Sequence, residues 1–188
     1  MTADGVPRRR KPTYAERKAE RADIEDPAQV LDAAARFLEA RPRSTAEVRR
    51  RLTSLGYRAA LVDDAVTRMT ELGYLDDDAF ARAWVASRDR ARPRGAHALR
   101  HELQLKGVDR ELVDAILDER EDDGAGEAVG ADESAAQRLL EKKLPSLLRE
   151  PNPRRRLQKA YALLARSGFA PDVCSSVARR AIAGDANG

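Results

Sequence analysis

The chain has 188 residues, 42% of them hydrophobic, enough for one or two ordinary domains with a core. Charged residues reach 36% and aromatic residues only 4%; with abundant Ala, Leu, Arg and Glu, this favours helices over sheet. The single cysteine, Cys174, excludes an internal disulfide, and the opening residues hold no continuous apolar stretch that would make a signal peptide or membrane span, so a cytoplasmic, all-α protein is expected.

The segment 1–26 contains Pro, Gly and the cations Arg8, Arg9, Arg10 and Lys11, and it has too little apolar surface to order itself; it reads as a flexible basic N-terminal tail. A first three-helix repeat is expected over residues 27–73. Asp26 and Pro27 are suitable starting residues for a helix whose stripe is Val30, Leu31, Ala34, Phe37 and Leu38. Ser44 and Glu47 have the spacing of a capping box and open a second helix that runs to Gly56. A third helix spans about Ala59 to Leu72, and Gly73 ends it.

The second repeat is expected over 74–117. It opens with Asp76, Asp77 and Asp78 ahead of a stripe of Phe80, Ala83, Trp84 and Ser87. Three adjacent carboxylates invite a metal or acid-base reading, but one capping the helix and two favouring the positive end of its dipole is the simpler account. Pro93 and Gly95 break the chain before ALRHELQLKG, and DRELVDAILDE completes the repeat. Residues 118–133, DEREDDGAGEAVGADE, lack helical periodicity and read as an acidic linker. A third repeat is expected over 134–183, with Pro145 threatening its first helix, and residues 184–188 form a C-terminal tail.

One pattern unites the repeats. Counting from Gly56, Gly107 and Gly168, apolar residues fall four before, one after, and five, six, nine and ten after. The sets are Leu52, Tyr57, Leu61, Val62, Ala65, Val66; Leu103, Val108, Leu112, Val113, Ile116, Leu117; and Leu164, Phe169, Val173, Cys174, Val177, Ala178. A glycine after an amphipathic run suits a left-handed helix cap, and the spacing beyond it is that of a new helix. The intervals of 51 and 61 positions differ by about the length of the acidic linker.

Common catalytic constellations do not assemble. GAGEAVG has Val129 where a dinucleotide loop needs its third glycine, and eight carboxylates nearby oppose a phosphate. His97 and His101 lie one helical turn apart without an evident third zinc ligand, and Cys174 sits inside an apolar stripe. No catalytic residue, metal or cofactor is therefore expected. Positive charge, in contrast, is concentrated: eight Lys and Arg against three carboxylates from Arg82 to Arg110, and ten against two from Lys142 to Arg180. Such a field favours nucleic acid or an acidic protein surface and weakens with salt.

With these motifs in place the chain resembles the RecX family of regulatory proteins over about Val30 to Ile182. The resemblance rests on RPRST at Arg41 to Thr45, GYLDDDAFA at Gly73 to Ala81, the following Arg88, and RPRG ahead of a helix ending in ELQLKG. EKK at Glu141 to Lys143 and ARSGF at Ala165 to Phe169 extend it into the third repeat. It implies a non-enzymatic, monomeric protein of tandem three-helix repeats, arranged as an elongated, curved helical array. Its implied partner is the nucleoprotein filament of the RecA recombinase, with DNA reached through the filament and direct contact left open, and no membrane. The expected effect is restraint of ATP hydrolysis, strand exchange and coprotease activity. The cations proposed to touch the filament or its DNA are Arg88, Arg92, Arg94, Arg100, Arg155 and Lys159. The competing reading is a direct DNA-binding regulator of helix-turn-helix type, since three-helix units with a glycine turn resemble such domains.

Overall fold

The structure, a computed structural model, describes residues 10–124 and 130–183. All regular structure among them is helical. The helices are α1 (Tyr14–Ala22), α2 (Pro27–Glu39), α3 (Thr45–Leu55), α4 (Ala59–Glu71), α5 (Asp77–Ala91), α6 (Ala96–Leu105), α7 (Arg110–Gly124), α8 (Ala131–Leu147), α9 (Pro153–Arg166) and α10 (Pro171–Ala183). The chain forms two compact units, one ending at Leu75 and the other beginning at Asp76.

In the first unit, α2, α3 and α4 enclose a core of Val30, Ala34, Val48, Leu52, Val62 and Val66. Its local signals behave as chemistry requires. Asp26 Oδ1 accepts from the Ala28 N–H at 3.0 Å, with Pro27 in the first turn where a missing N–H costs nothing. Ser44 Oγ accepts from Glu47 N and Glu47 Oε2 accepts from Ser44 N, each at 3.2 Å, closing the capping box.

The expected tail through Asp26 needs correction, because α1 lies within it. Thr13 and Glu16 form a second capping box: Glu16 Oε2 accepts from Thr13 N at 2.6 Å and Thr13 Oγ1 accepts from Glu16 N at 3.3 Å. The bond from the Thr13 N–H foremost, with the Thr13 side chain adding to it, holds the Glu16 carboxyl below its ordinary range against the opposing effect of burial. No side chain of α1 is buried, so the helix docks by polar contacts. The Tyr14 hydroxyl donates to the Ser54 carbonyl at 2.7 Å, and Arg58 Nε donates to the Ala22 carbonyl at 2.9 Å. Residues 1–9 of the expected tail, including Arg8 and Arg9, lie outside the described residues.

The second unit holds two bundles with separate cores. Phe80, Ala81, Val85, Leu99, Leu103 and Val113 fill the one made by α5 to α7, and Ala135, Ala136, Leu140, Leu164, Cys174 and Val177 fill the one made by α8 to α10. The α5 stripe differs from the expected one: Ala83 and Ser87 are exposed, and Phe80, Ala81 and Val85 are buried beside a half-buried Trp84. The expected acidic linker also shrinks. Helix α7 continues to Gly124 and α8 begins at Ala131, three residues before the expected start, leaving residues 125–129 outside the described set. The reason is pairing: Glu119 meets Arg82 at 2.6 Å, and Asp132 and Glu133 occupy the first turn of α8, where the helix dipole favours anions. Pro145 falls in the last turn of α8, which closes at Leu147; its missing N–H removes the helical bond to the Glu141 carbonyl, and only two residues of helix follow it.

The three marked glycines share one geometry. Gly56, Gly107 and Gly168 have φ of 106°, 79° and 83°, the left-handed region that glycine enters without a Cβ penalty. In each case the next N–H returns to the carbonyl five residues earlier: Tyr57 to Leu52 at 3.4 Å, Val108 to Leu103 at 3.1 Å, and Phe169 to Leu164 at 3.3 Å. That bond is the signature of a Schellman cap. Leu52, Leu103 and Leu164 are each fully buried, contributing about 1.5–3 kcal/mol apiece by removal from water. The residues five after each glycine, Leu61, Leu112 and Val173, are only half-buried, whereas those six, nine and ten after are buried in all three repeats.

Inside the second unit the two bundles meet backbone to backbone. Gly95 N donates to the Ser167 carbonyl at 3.1 Å, and a Cβ on Gly95 would collide with the Gly168 carbonyl. Next to this contact Arg120 donates to both oxygens of Asp89, at 3.0 and 2.9 Å, and to Asp132 Oδ1 at 2.7 Å. The other Asp132 oxygen accepts from the Ala96 N–H at 3.0 Å. Burial opposes the Arg120 charge, and the bonds to Asp89 and Asp132 outweigh it, so its pKa is raised.

Candidate partner-binding surface

The α5–α6 hairpin places Trp84 and Arg88 one turn apart on α5, and Glu102 on α6 one turn before Lys106, which caps that helix. Glu102 Oε2 accepts from Trp84 Nε1 at 2.8 Å and from Arg88 Nε at 2.7 Å. The Arg88 guanidinium lies 4.5 Å from the centre of the Trp84 ring, and Lys106 Nζ lies 4.1 Å from it. Cations over the negative face of an indole are held by its quadrupole, each by about 0.5–1 kcal/mol at a wet site. Arg94, from the turn after α5, brings Nε to 3.6 Å from Glu102 Oε1, an ion-pair distance too long for a hydrogen bond, and that Nε is buried without one. Two cations thus share the Glu102 carboxylate, and Arg88 and Lys106 both lie over the ring of the only tryptophan of the chain.

The other cations singled out by sequence divide by environment. Arg100 Nε donates to Asp114 Oδ1 at 2.6 Å, tying α6 to α7; this bond is the main reason the Asp114 carboxyl sits below its usual range, with Arg110 adding to it and burial opposing. Arg92 is exposed and its side chain has no partner among the described residues. Arg155 is exposed on α9, and Lys159 pairs with Glu150 at 2.5 Å. The Lys159 bond foremost, then the Asn152 N–H and the Arg155 charge, hold the Glu150 carboxyl low against burial. Arg88 and Arg94 therefore converge on Glu102, and Arg155 and Lys159 converge near Glu150. No hydrogen bond or ion pair among the described residues joins the two sets.

Trp84, Glu102 and Lys106 were absent from the sequence-derived candidates. Trp84 reads as one more stripe residue there, although its fourth-residue spacing from Arg88, and that of Glu102 from Lys106, is the signal for two side-chain pairs on facing helices. The three consecutive carboxylates resolve as the capping account requires: Asp76 Oδ1 accepts from Ala79 N at 2.9 Å, and Asp78 pairs with Arg82 at 2.6 Å. Among the described residues no group of three or more His, Cys, Asp or Glu is placed to hold a metal ion. No helix among them is long and apolar enough to cross a membrane. Cys174 is fully buried, its thiol pKa pushed up chiefly by burial and further by the charge of Asp172.

Fold and surface together define a scaffold of helical triplets with cationic faces. Family models assign each triplet in turn: the first three-helix domain of RecX matches residues 31–69, the second residues 76–117 and the third residues 131–177. Among curated relatives, a protein named regulatory protein RecX from Mycobacterium sp. (strain JLS) is 34% identical over 153 residues, covering 80% of each chain. Another of that name, from Chlorobium phaeobacteroides (strain BS1), is 33% identical over 148 residues, 79% of this chain and 89% of the relative. The crystal structure of RecX from Lactobacillus salivarius shares the fold with a TM-score of 0.70 at 19% identity, over 84% of this chain and 97% of that one. The chain belongs to the RecX family, and its role is regulatory.

Proposed function

We propose that this RecX-family protein binds the RecA nucleoprotein filament and restrains its ATP hydrolysis, strand exchange and coprotease activity, acting in recombination, DNA repair and the SOS response in the cytoplasm. It does so as a non-enzymatic monomer. The observation that carries the reading is the surplus of positive charge in the second and third repeats: Arg88 and Arg94 share Glu102, Lys106 lies over the Trp84 ring, and Arg92 and Arg155 extend into solvent. Several weak cationic contacts on one chain reinforce each other when they engage neighbouring subunits of a polymer. Ion pairs at an exposed rim chiefly raise the association rate and fix orientation.

The contacts proposed are Arg88, Arg92, Arg94, Arg100, Arg155 and Lys159, to the acidic surface of the filament or to its DNA. Arg100 is committed internally through Asp114, as Arg88 is through Glu102, and contributes by field more than by reach. Titration of the protein into RecA filaments on single-stranded DNA, with ATP turnover and filament length followed together, tests the proposal. Turnover falls with wild-type protein and falls less with Arg92→Glu combined with Arg94→Glu. Equal inhibition by a correctly folded double variant refutes the residue assignment. Tight binding to one duplex sequence in the absence of RecA supports the helix-turn-helix regulator instead.

A further inference from the structure

The third repeat carries a second cationic feature, distinct from the α9 N-terminal arginines. Helices α8 and α9 pack side by side and leave between them an open groove of about 300 Å³. Lys143, Ser146 and Leu147 line it from α8, and Lys159, Leu163 and Arg166 from α9. Steps of three and four from Lys143 on α8, and of four and seven from Lys159 on α9, place these residues on one outward face of the pair. Leu147 is buried and Leu163 half-buried, so the floor is apolar. The walls are three cations with no carboxylate among the lining residues. Glu150 satisfies Lys159 from the loop, but Lys143 and Arg166 are exposed and carry no ion pair among the described residues.

We infer that this groove is a docking site for an acidic amphipathic helix of a protein partner. Lys159 and Arg166 lie seven residues apart, about 10 Å along α9. A helix laid in the groove with carboxylates two turns apart and an apolar residue between them would match both cations and cover Leu147 and Leu163. Charge complementarity selects the acidic character, and the apolar floor selects a helix over nucleic acid, because a phosphodiester strand offers anions without an apolar ridge to seat. The inference rests on the reading that the third repeat faces the RecA filament, and it commits one part of that face to protein instead of DNA.

The test places the photo-cross-linking residue p-benzoylphenylalanine at Ser146 in the full chain, illuminates it on RecA filaments, and identifies the products by mass spectrometry while ATP turnover is read in the same samples. The expected product joins Ser146 to a helical RecA segment carrying acidic residues two turns apart. In parallel, Lys143→Glu with Arg166→Glu weakens filament binding about tenfold at low salt, with an unchanged circular dichroism melt because both side chains are exposed. Cross-linking to DNA overturns the inference in favour of a nucleic-acid groove. Persistent inhibition of turnover without a cross-link, or with the double variant binding as wild type, removes the groove and leaves the filament reading standing. Absence of both cross-link and inhibition overturns the two together.

Discussion

Arg120→Met tests whether the buried ionic cluster holds the two bundles of the second unit together. The guanidinium is only 9% exposed and makes three hydrogen bonds of 2.7–3.0 Å. Methionine fills similar volume without charge, leaving Asp132, 11% exposed, without its cation and Asp89, 24% exposed, with only the Arg138 guanidinium at 4.0 Å. Removing one partner of a fully buried pair costs about 3–5 kcal/mol. Partial exposure of Asp89, and the bond from Ala96 N that Asp132 keeps, reduce this to about 2–4 kcal/mol. Urea unfolding followed by fluorescence of Trp84, which lies in this unit, measures the loss. Adding Asp132→Asn recovers part of the loss. A loss below about 0.5 kcal/mol refutes the reasoning.

Gly73→Ala and Gly168→Ala separate backbone strain from steric contact. Both positions have positive φ, costing about 1–2 kcal/mol, but nothing lies within 4 Å of a Cβ at Gly73, whereas one at Gly168 meets Ala98; hydrogen exchange should show the larger loss of protection at Gly168. The Cys174 thiol should resist a disulfide reagent in the native protein and react fully on unfolding, and because burial raises its pKa, stability should decline as pH climbs above the unfolded thiol value near 8.5. Glu102→Gln removes the carboxylate shared by Arg88 and Arg94, so filament binding should strengthen at low salt and its salt dependence steepen, measured by titration at several ionic strengths.

The helical triplets were legible because their signals are local. A capping residue, a glycine and a stripe of period 3.6 sit within fifteen residues of one another, and the bonds at Gly56, Gly107 and Gly168 follow from them. Helix α1 was missed although Thr13 and Glu16 have capping-box spacing, because the helix has no buried face and composition outweighed the cap. The end of α7 was missed because Glu119 is paired with Arg82, 37 residues away, and Arg120 is bonded to Asp89 on α5 and Asp132 on α8, contacts that only the fold creates. The candidate surface was half legible. Clustering of Arg88, Arg92 and Arg94 along the chain is visible in sequence, but the meeting of Trp84 with Glu102 and Lys106 depends on how α5 packs against α6.

Binding of the full chain to assembled RecA filaments, compared with free single-stranded DNA and with free RecA by interferometry across a salt series, tests the central claim most directly. The account predicts tightest binding to the filament, weakening steadily as salt rises, since the contacts are cationic and exposed. No preference for the filament over DNA or RecA alone, or a filament affinity indifferent to salt, contradicts it.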